Sequence, residues 1–186
     1  PAITLDGNIV MESDDIIHTL ETEFGPIRGK NSWDDDVVEH RILERRMFGT
    51  WCDWLCQPNN PDDERKAQEA FIAEARKLGD MLRVNKGGPY LMGAEPIVSD
   101  IVFVPFLERM AASLFYFKGY ELKHEVPNIG RFLDGWQRRD QTYRGMMSDY
   151  HTHVHALPPQ MGGCYFTPSF SWTNKPTCAR LVDNGP

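Results

Sequence analysis

No stretch of the 186 residues approaches the roughly 18 consecutive apolar residues that a membrane-spanning helix needs. Concentrated positive charge is equally scarce. The net charge is −7, and the basic residues cluster only in pairs such as Arg45-Arg46 and Arg138-Arg139, which excludes a general affinity for nucleic acid or for an anionic membrane surface. Cysteine is sparse: Cys52, Cys56, Cys164 and Cys178 have neither zinc-ribbon spacing nor the density of a secreted disulfide scaffold, so a reducing compartment, cytoplasmic or organellar, is expected. An initiator methionine and a signal segment are missing ahead of Pro1, which reads as a processed chain or a fragment. What is present, 41% apolar and 25% charged residues, is the composition of a globular protein with one full domain and part of another.

The most apolar segment is Ser99-Asp100-Ile101-Val102-Phe103-Val104-Pro105-Phe106-Leu107, preceded by Gly87-Gly88-Pro89-Tyr90-Leu91-Met92-Gly93. Apolar residues at nearly every position from Ile101 to Leu107 predict a central helix wrapped by protein on most sides, bent at Pro105 and extending to about Phe117. Asp100 stands at its start, where a carboxylate accepts orphan backbone N–H groups and meets the positive end of the helix dipole. Its role is structural.

Before this helix the chain changes character once. Pro1 to Leu5 and Ile9 to Met11 read as short strands around the Asp6-Gly7-Asn8 turn, an antiparallel hairpin. Glu12-Ser13-Asp14-Asp15 then opens a helix with Ser13 as capping hydroxyl and Ile16, Ile17, Leu20 and Phe24 as its apolar stripe. A hairpin with one helix is marginal alone, so further strands are expected to complete the sheet. A linker over 26–33 follows, and from Asp34 the pattern is helical. Val37, Leu43, Met47, Phe48, Trp51 and Leu55 mark one helix; Ala67, Ala70, Phe71, Ala75, Leu78 and Leu82 mark its antiparallel partner, starting at Pro61. Shorter helices are expected from Pro127 and from Gln141 to about Tyr150. From 157 to 186, Gly, Pro and scattered aromatics replace periodicity, an extended tail for the surface of the body or of a partner.

This order resembles a soluble glutathione transferase. Pro1-Ala2-Ile3-Thr4-Leu5-Asp6-Gly7 with Ile9-Val10-Met11-Glu12-Ser13 is similar to the family's Pro-x-Leu, Asp-Gly, Glu-Ser segment. Gly87 to Gly93 followed by Ser99-Asp100-Ile101 resembles the start of its buried sixth helix, and Pro127-Asn128-Ile129-Gly130-Arg131-Phe132 the helix after it. The resemblance covers residues 1 to 150 and departs from the family at Ile97, where a capping Ser or Thr is usual. It implies a mainly α fold in four parts: a remnant of a thioredoxin-like α/β domain (1–25), the linker (26–33), an all-α C-terminal helical domain (34–156) and the tail (157–186).

It also implies that Pro1 is the family's cis-proline, and that Glu12 and Ser13 hold the γ-glutamyl end of glutathione. Chemically this is direct: Ser13 offers a hydroxyl and an N–H to a carboxylate, and Glu12 can pair with an ammonium. Asp14 and Asp15 partly offset it by repelling the same carboxylate. Arg41, Arg45, Phe48 and Trp51, on the helix that lines the family's electrophile pocket, could hold a flat apolar group bearing negative charge; the competing and favoured reading makes Phe48 and Trp51 core and the arginines a solvated edge. No catalytic residue is assigned, because the family's sulfur-activating Tyr, Ser or Cys belongs upstream of Pro1. The expected activity is conjugation or reduction of an electrophile with glutathione if that upstream part is present. A non-catalytic scaffold or accessory subunit, its aromatic tail covering a partner surface, is the alternative, and homodimerisation is expected in either case.

Two patterns are read as structural. Cys52 and Cys56, one helical turn apart, are expected as a buried pair of thiols. His151, His153 and His155 alternate and would share one side of an extended segment, whereas in a helix only His151 and His155 would be near each other; no metal is expected there because the ligand set is incomplete.

Overall fold

The computed structural model describes residues 1–56, 60–84, 87–139, 141–150 and 152–154. The hairpin forms as its turn chemistry dictates. Strands β1 (Ala2–Leu5) and β2 (Asn8–Met11) pair antiparallel with Leu5 opposite Asn8 and Ala2 opposite Met11. Asp6 (φ 49°) and Gly7 (φ 81°) both take positive φ, the two-residue turn whose twist matches that of the strands.

Helix α1 (Ser13–Phe24) follows at once. Ser13 is its first helical residue and not its cap: Glu12 occupies the cap position, and no side chain bonds the first turn. None of its residues is fully buried, and Phe24, at the far end of the apolar stripe, is 72% exposed, because two strands give too little sheet to cover a whole helix face.

The segment after Gly25 is fixed by polar contacts to both sides. Glu21 accepts hydrogen bonds from the Ser32 N–H and hydroxyl, and Lys30 pairs with Asp36. Arg28 reaches Glu95 in the loop ahead of the central helix. Ile17 of α1 packs on Val37, Ile97 and Val98, so the amino-terminal unit touches the bundle through an apolar contact as well.

Helices α2 (Asp35–Cys56) and α3 (Pro61–Val84) form the long pair. Asn60 caps α3 through its Oδ1, which accepts the Asp62 and Asp63 N–H groups, and Pro61 takes the first helical position, where a missing N–H costs nothing. The apolar spacing of α2 holds as expected, with Phe48 only part-buried. On α3, Phe71, Ala75, Leu78 and Leu82 are buried, but Ala70 is exposed. It sits one residue from Phe71 and is therefore turned well off the stripe.

Central helix α4 (Val98–Ser113) buries Phe103, Val104, Leu107 and Met110 between α2 and α6 (Pro127–Arg139). It is not wrapped on every side. Ile101 and Pro105, one turn apart, share an exposed face. That placement has a physical reason: Pro105 has no N–H for the Ile101 carbonyl, which on the open side can turn to water. The helix runs on into a wider π turn, Leu114–Lys118, that Gly119 ends in the left-handed region, and a short helix α5 (Leu122–Glu125) precedes α6; periodicity revealed neither. Helix α7 (Gln141–Met146) stops four residues short of Tyr150.

Buried polar groups tie the helices across their crossings. The Trp51 indole N–H donates to Ser113 Oγ at 3.0 Å, and that hydroxyl donates to the Arg109 carbonyl. Glu64 accepts from the Trp54 indole and from the Lys118 ammonium, whose side chain is almost wholly buried. Cys52 is a free thiol whose pKa burial raises to about 11, whereas Cys56 is disulfide-bonded, so the expected pair of thiols does not form. Among the described residues no helix is long and apolar enough to cross a membrane. The tail, with its aromatics, and His151 and His155 lie outside the described residues.

Asp100 joins loop and central helix. Its fully buried carboxylate accepts the Leu91 N–H through Oδ1 and the Ile97 N–H through Oδ2, both at 2.8 Å. Ile97 has no acceptor to return the bond, so only one half of a capping box is made. Burial outweighs these two bonds and pushes the carboxyl pKa up to about 6. The folded chain thus holds this proton more tightly than the unfolded one, and the Asp100 contribution to stability falls as pH rises from about 4 to about 6, then levels off. Urea titrations of wild type and Asp100→Asn across that range should show the slope missing in the variant. At neutral pH the variant should be less stable by roughly 2 kcal/mol, because an amide leaves one buried N–H unpaired.

Candidate functional site

The register that sets Ala2 against Met11 leaves Pro1 and Glu12 one residue beyond the last pair, at the strand-to-helix junction. Glu12 takes φ 68° and ψ 133°, a conformation side-chain-bearing residues rarely adopt and one that costs roughly 1–3 kcal/mol. It reverses the chain between strand and helix. The first helical bond runs from Ile16 N–H to the Glu12 carbonyl at 2.9 Å, leaving the N–H groups of Ser13, Asp14 and Asp15 without helical partners at an exposed, electropositive helix end. No capping side chain occupies this end.

The repulsion expected from the adjacent acids is partly neutralised by tertiary structure. Arg41 of α2 pairs with Asp14 at 2.6 Å. A cleft of about 540 Å³ opens between α1 and α2 at this pair, with Asp14, His18, Trp33, Arg41, Ile42 and Arg45 in its walls. Arg41 Nε is buried there without a hydrogen-bond partner. Arg45 makes two bonds to the buried Glu44 carboxylate, at 2.5 and 2.6 Å, which raise its pKa. Its guanidinium also lies over Phe48 and Phe106, 5.4 and 5.2 Å from the ring centroids.

The structure therefore sorts the expected residues into three places. Pro1, Glu12 and Ser13 lie at the strand-to-helix junction; Arg41 and Arg45 line the cleft, with Phe48 beneath Arg45. Trp51 does not join them. It is 1% exposed, in the core against Phe48 and bonded to Ser113, because α2 turns its position 51 inward toward α4. His18 and Trp33 were not anticipated: the Trp33 indole N–H donates to His18 Nδ1 at 3.2 Å, with the rings edge to face. The one signal for them was Trp33 itself, the large aromatic of the linker.

His153 sits on a helical turn whose N–H bonds the Asp149 carbonyl, so it does not belong to an extended segment. Among the described residues no group of three His, Cys, Asp or Glu side chains could hold a metal ion.

A strand hairpin and helix lead into a helical bundle, with an aspartate buried at the start of its central helix. Residues 45–142, more than half of the chain, match the glutathione S-transferase C-terminal domain, and the chain belongs to that family. Its fold is shared by solved structures that include the following three. The dehydroascorbate reductase of Chlamydomonas reinhardtii aligns with a TM-score of 0.70 at 18% identity, over 87% of this chain and 72% of that one. The trimeric glutathione transferase TDR1 of Leishmania aligns at 0.65 and 19%, over 88% of this chain. Glutathione transferase Omega 3C of Trametes versicolor aligns at 0.62 and 20%, over 86% of this chain and 69% of that one. The chain spans only 39% of the length of the Leishmania protein.

The strain at Glu12 can be measured apart from any ligand. Glycine accepts positive φ freely, so Glu12→Gly should raise stability by about 1 kcal/mol in urea unfolding, even after the entropy glycine adds to the unfolded chain. Glu12→Ala, which keeps the strain, should not.

Proposed function

We propose that this chain carries the γ-glutamyl subsite of a glutathione-dependent transferase, with Glu12 and Ser13 holding that end of the tripeptide. The observation that supports it most is the strained Glu12 backbone, which turns three unpaired N–H groups at the start of α1 toward solvent. The glutathione carboxylate would be held by the Ser13 hydroxyl and N–H, and its ammonium by the Glu12 carboxylate. Arg41, by engaging Asp14, weakens the repulsion that a bare acidic pair would exert. Pro1 would stand beside the cysteinyl part.

On this reading, residues 1–25 are part of a thioredoxin-like glutathione-binding domain, 26–33 the linker and 34–156 the helical domain. The side chain that keeps the glutathione sulfur as thiolate would come from upstream of Pro1, and further strands from there would cover the open stripe of α1. The electrophile would lie near the α1–α2 cleft, where Arg41, Arg45 and Phe48 offer cationic and aromatic contacts. Pairing with a second subunit follows the family habit.

One observation favours a second reading, a non-catalytic subunit of a larger assembly. Ile9, Met11 and Phe24 leave an open apolar surface on the amino-terminal unit that a partner could cover.

Retention on immobilised glutathione separates the two. The complete polypeptide should be retained and eluted by free glutathione, and Glu12→Ala or Ser13→Ala should reduce retention at least tenfold while leaving the unfolding transition in place. A folded wild-type chain that passes straight through overturns the transferase reading and leaves the assembly subunit.

A further inference from the structure

Apart from the α1–α2 cleft, α4, α5, α6 and the turn after α7 line a partly open cavity of about 340 Å³, within the range of small-molecule sites. Ala111, Ala112, Phe115, Leu122, Leu133 and Met147 give it mostly apolar walls. Two polar side chains face each other within it, Glu108 from α4 and His153 from the turn at 152–154.

Their state is unusual. Glu108 is nine-tenths buried and His153 nearly so, yet Glu108 Oε2 and His153 Nε2 stand 3.8 Å apart, too far for a direct hydrogen bond. His153 Nε2 is buried with no hydrogen-bond partner, and the Tyr143 hydroxyl lies beside Glu108, where it favours the charged carboxylate. Burial raises the Glu108 pKa, and burial with the nearby Arg109 lowers that of His153, so a neutral imidazole faces the carboxyl. Orphaned groups of this kind cost stability unless something pairs with them.

We propose that this cavity is a second ligand site, distinct from the glutathione subsite, for a small aromatic molecule carrying one hydroxyl, whose oxygen bridges Glu108 and His153. The geometry selects that group. An atom about 2.8 Å from each of two groups 3.8 Å apart makes both bonds, and a hydroxyl is donor and acceptor at once, giving its hydrogen to the carboxylate and receiving one from imidazole Nε2. The ring then lies against Phe115, Leu122 and Leu133. A carboxylate at the bridging position would meet Glu108.

The test is calorimetric titration of the complete polypeptide with p-cresol and with toluene, which differ by the hydroxyl alone. p-Cresol should bind one per chain and at least about tenfold more tightly than toluene. Glu108→Leu together with His153→Leu should abolish that preference. Ala111→Leu or Ala112→Leu, whichever retains the native unfolding transition, should block both compounds, and Ser13→Ala should change neither. Equal binding of the two compounds would show a greasy hole whose polar pair is bridged by water, and would overturn the proposal. So would absence of p-cresol binding, or binding that survives the filled cavity. Because Ser13 is remote from the cavity, failure here leaves glutathione retention untouched, and the reverse holds.

Discussion

Two hydrogen bonds to one buried carboxylate set the arrangement of the helical half. Asp100 takes the Leu91 and Ile97 N–H groups at 2.8 Å, and so fixes the 87–97 loop against the first turn of α4. Tyr90 and Leu91 are thereby placed in the core, with Tyr90 edge to face against Phe132 and Trp136 of α6. The loop has no room to do otherwise. A Cβ on Gly88 would stand 2.4 Å from the Ala94 Cα, and one on Gly135 2.8 Å from the Pro89 ring, so both close approaches need glycine. An isolated buried charge would be costly, but here it receives two donors and its pKa rises toward neutrality, which limits the cost.

The same logic repeats at the other helix crossings, where a polar atom joins two elements that apolar packing alone would leave free to slide. Trp51 meets Ser113, Trp54 and Lys118 meet Glu64, and His40 lies 3.2 Å from Ser99 through Nδ1. Each link is hydrogen-bonded on both sides. The cavity beside α4 differs from these links, with a glutamate and a histidine brought close but not joined, and that contrast is why it reads as a place for a ligand.

At the amino-terminal end, strain and charge work together. Glu12 holds a backbone conformation that a free chain would avoid, and the pairing Ala2 to Met11 holds it there while the Asp14–Arg41 contact ties the first turn of α1 to α2. The resulting helix end is open; its dipole favours an anion, while the Glu12 and Asp15 carboxylates beside it oppose one. The apolar surface left on α1 and β2 belongs to an element that needs more sheet than two strands supply.

The sequence by itself determined the elements and their order. Asp6-Gly7 forces the hairpin turn, Pro61 and Pro127 start helices, and the 3.6-residue spacing of Leu43, Met47, Trp51 and Leu55 turns one face inward; all of these are local constraints on backbone and burial. Asp100 was legible for the same reason, since a carboxylate at a helix start acts within one turn. The tertiary structure alone decided what depends on distance across the chain. It exposed Ile101 and Pro105 together, moved the cap from Ser13 to Glu12, set Arg41 against Asp14 and brought Glu108 within 3.8 Å of His153. Residues 27 and 45 positions apart become neighbours only when helices pack, and no local propensity records which faces will meet.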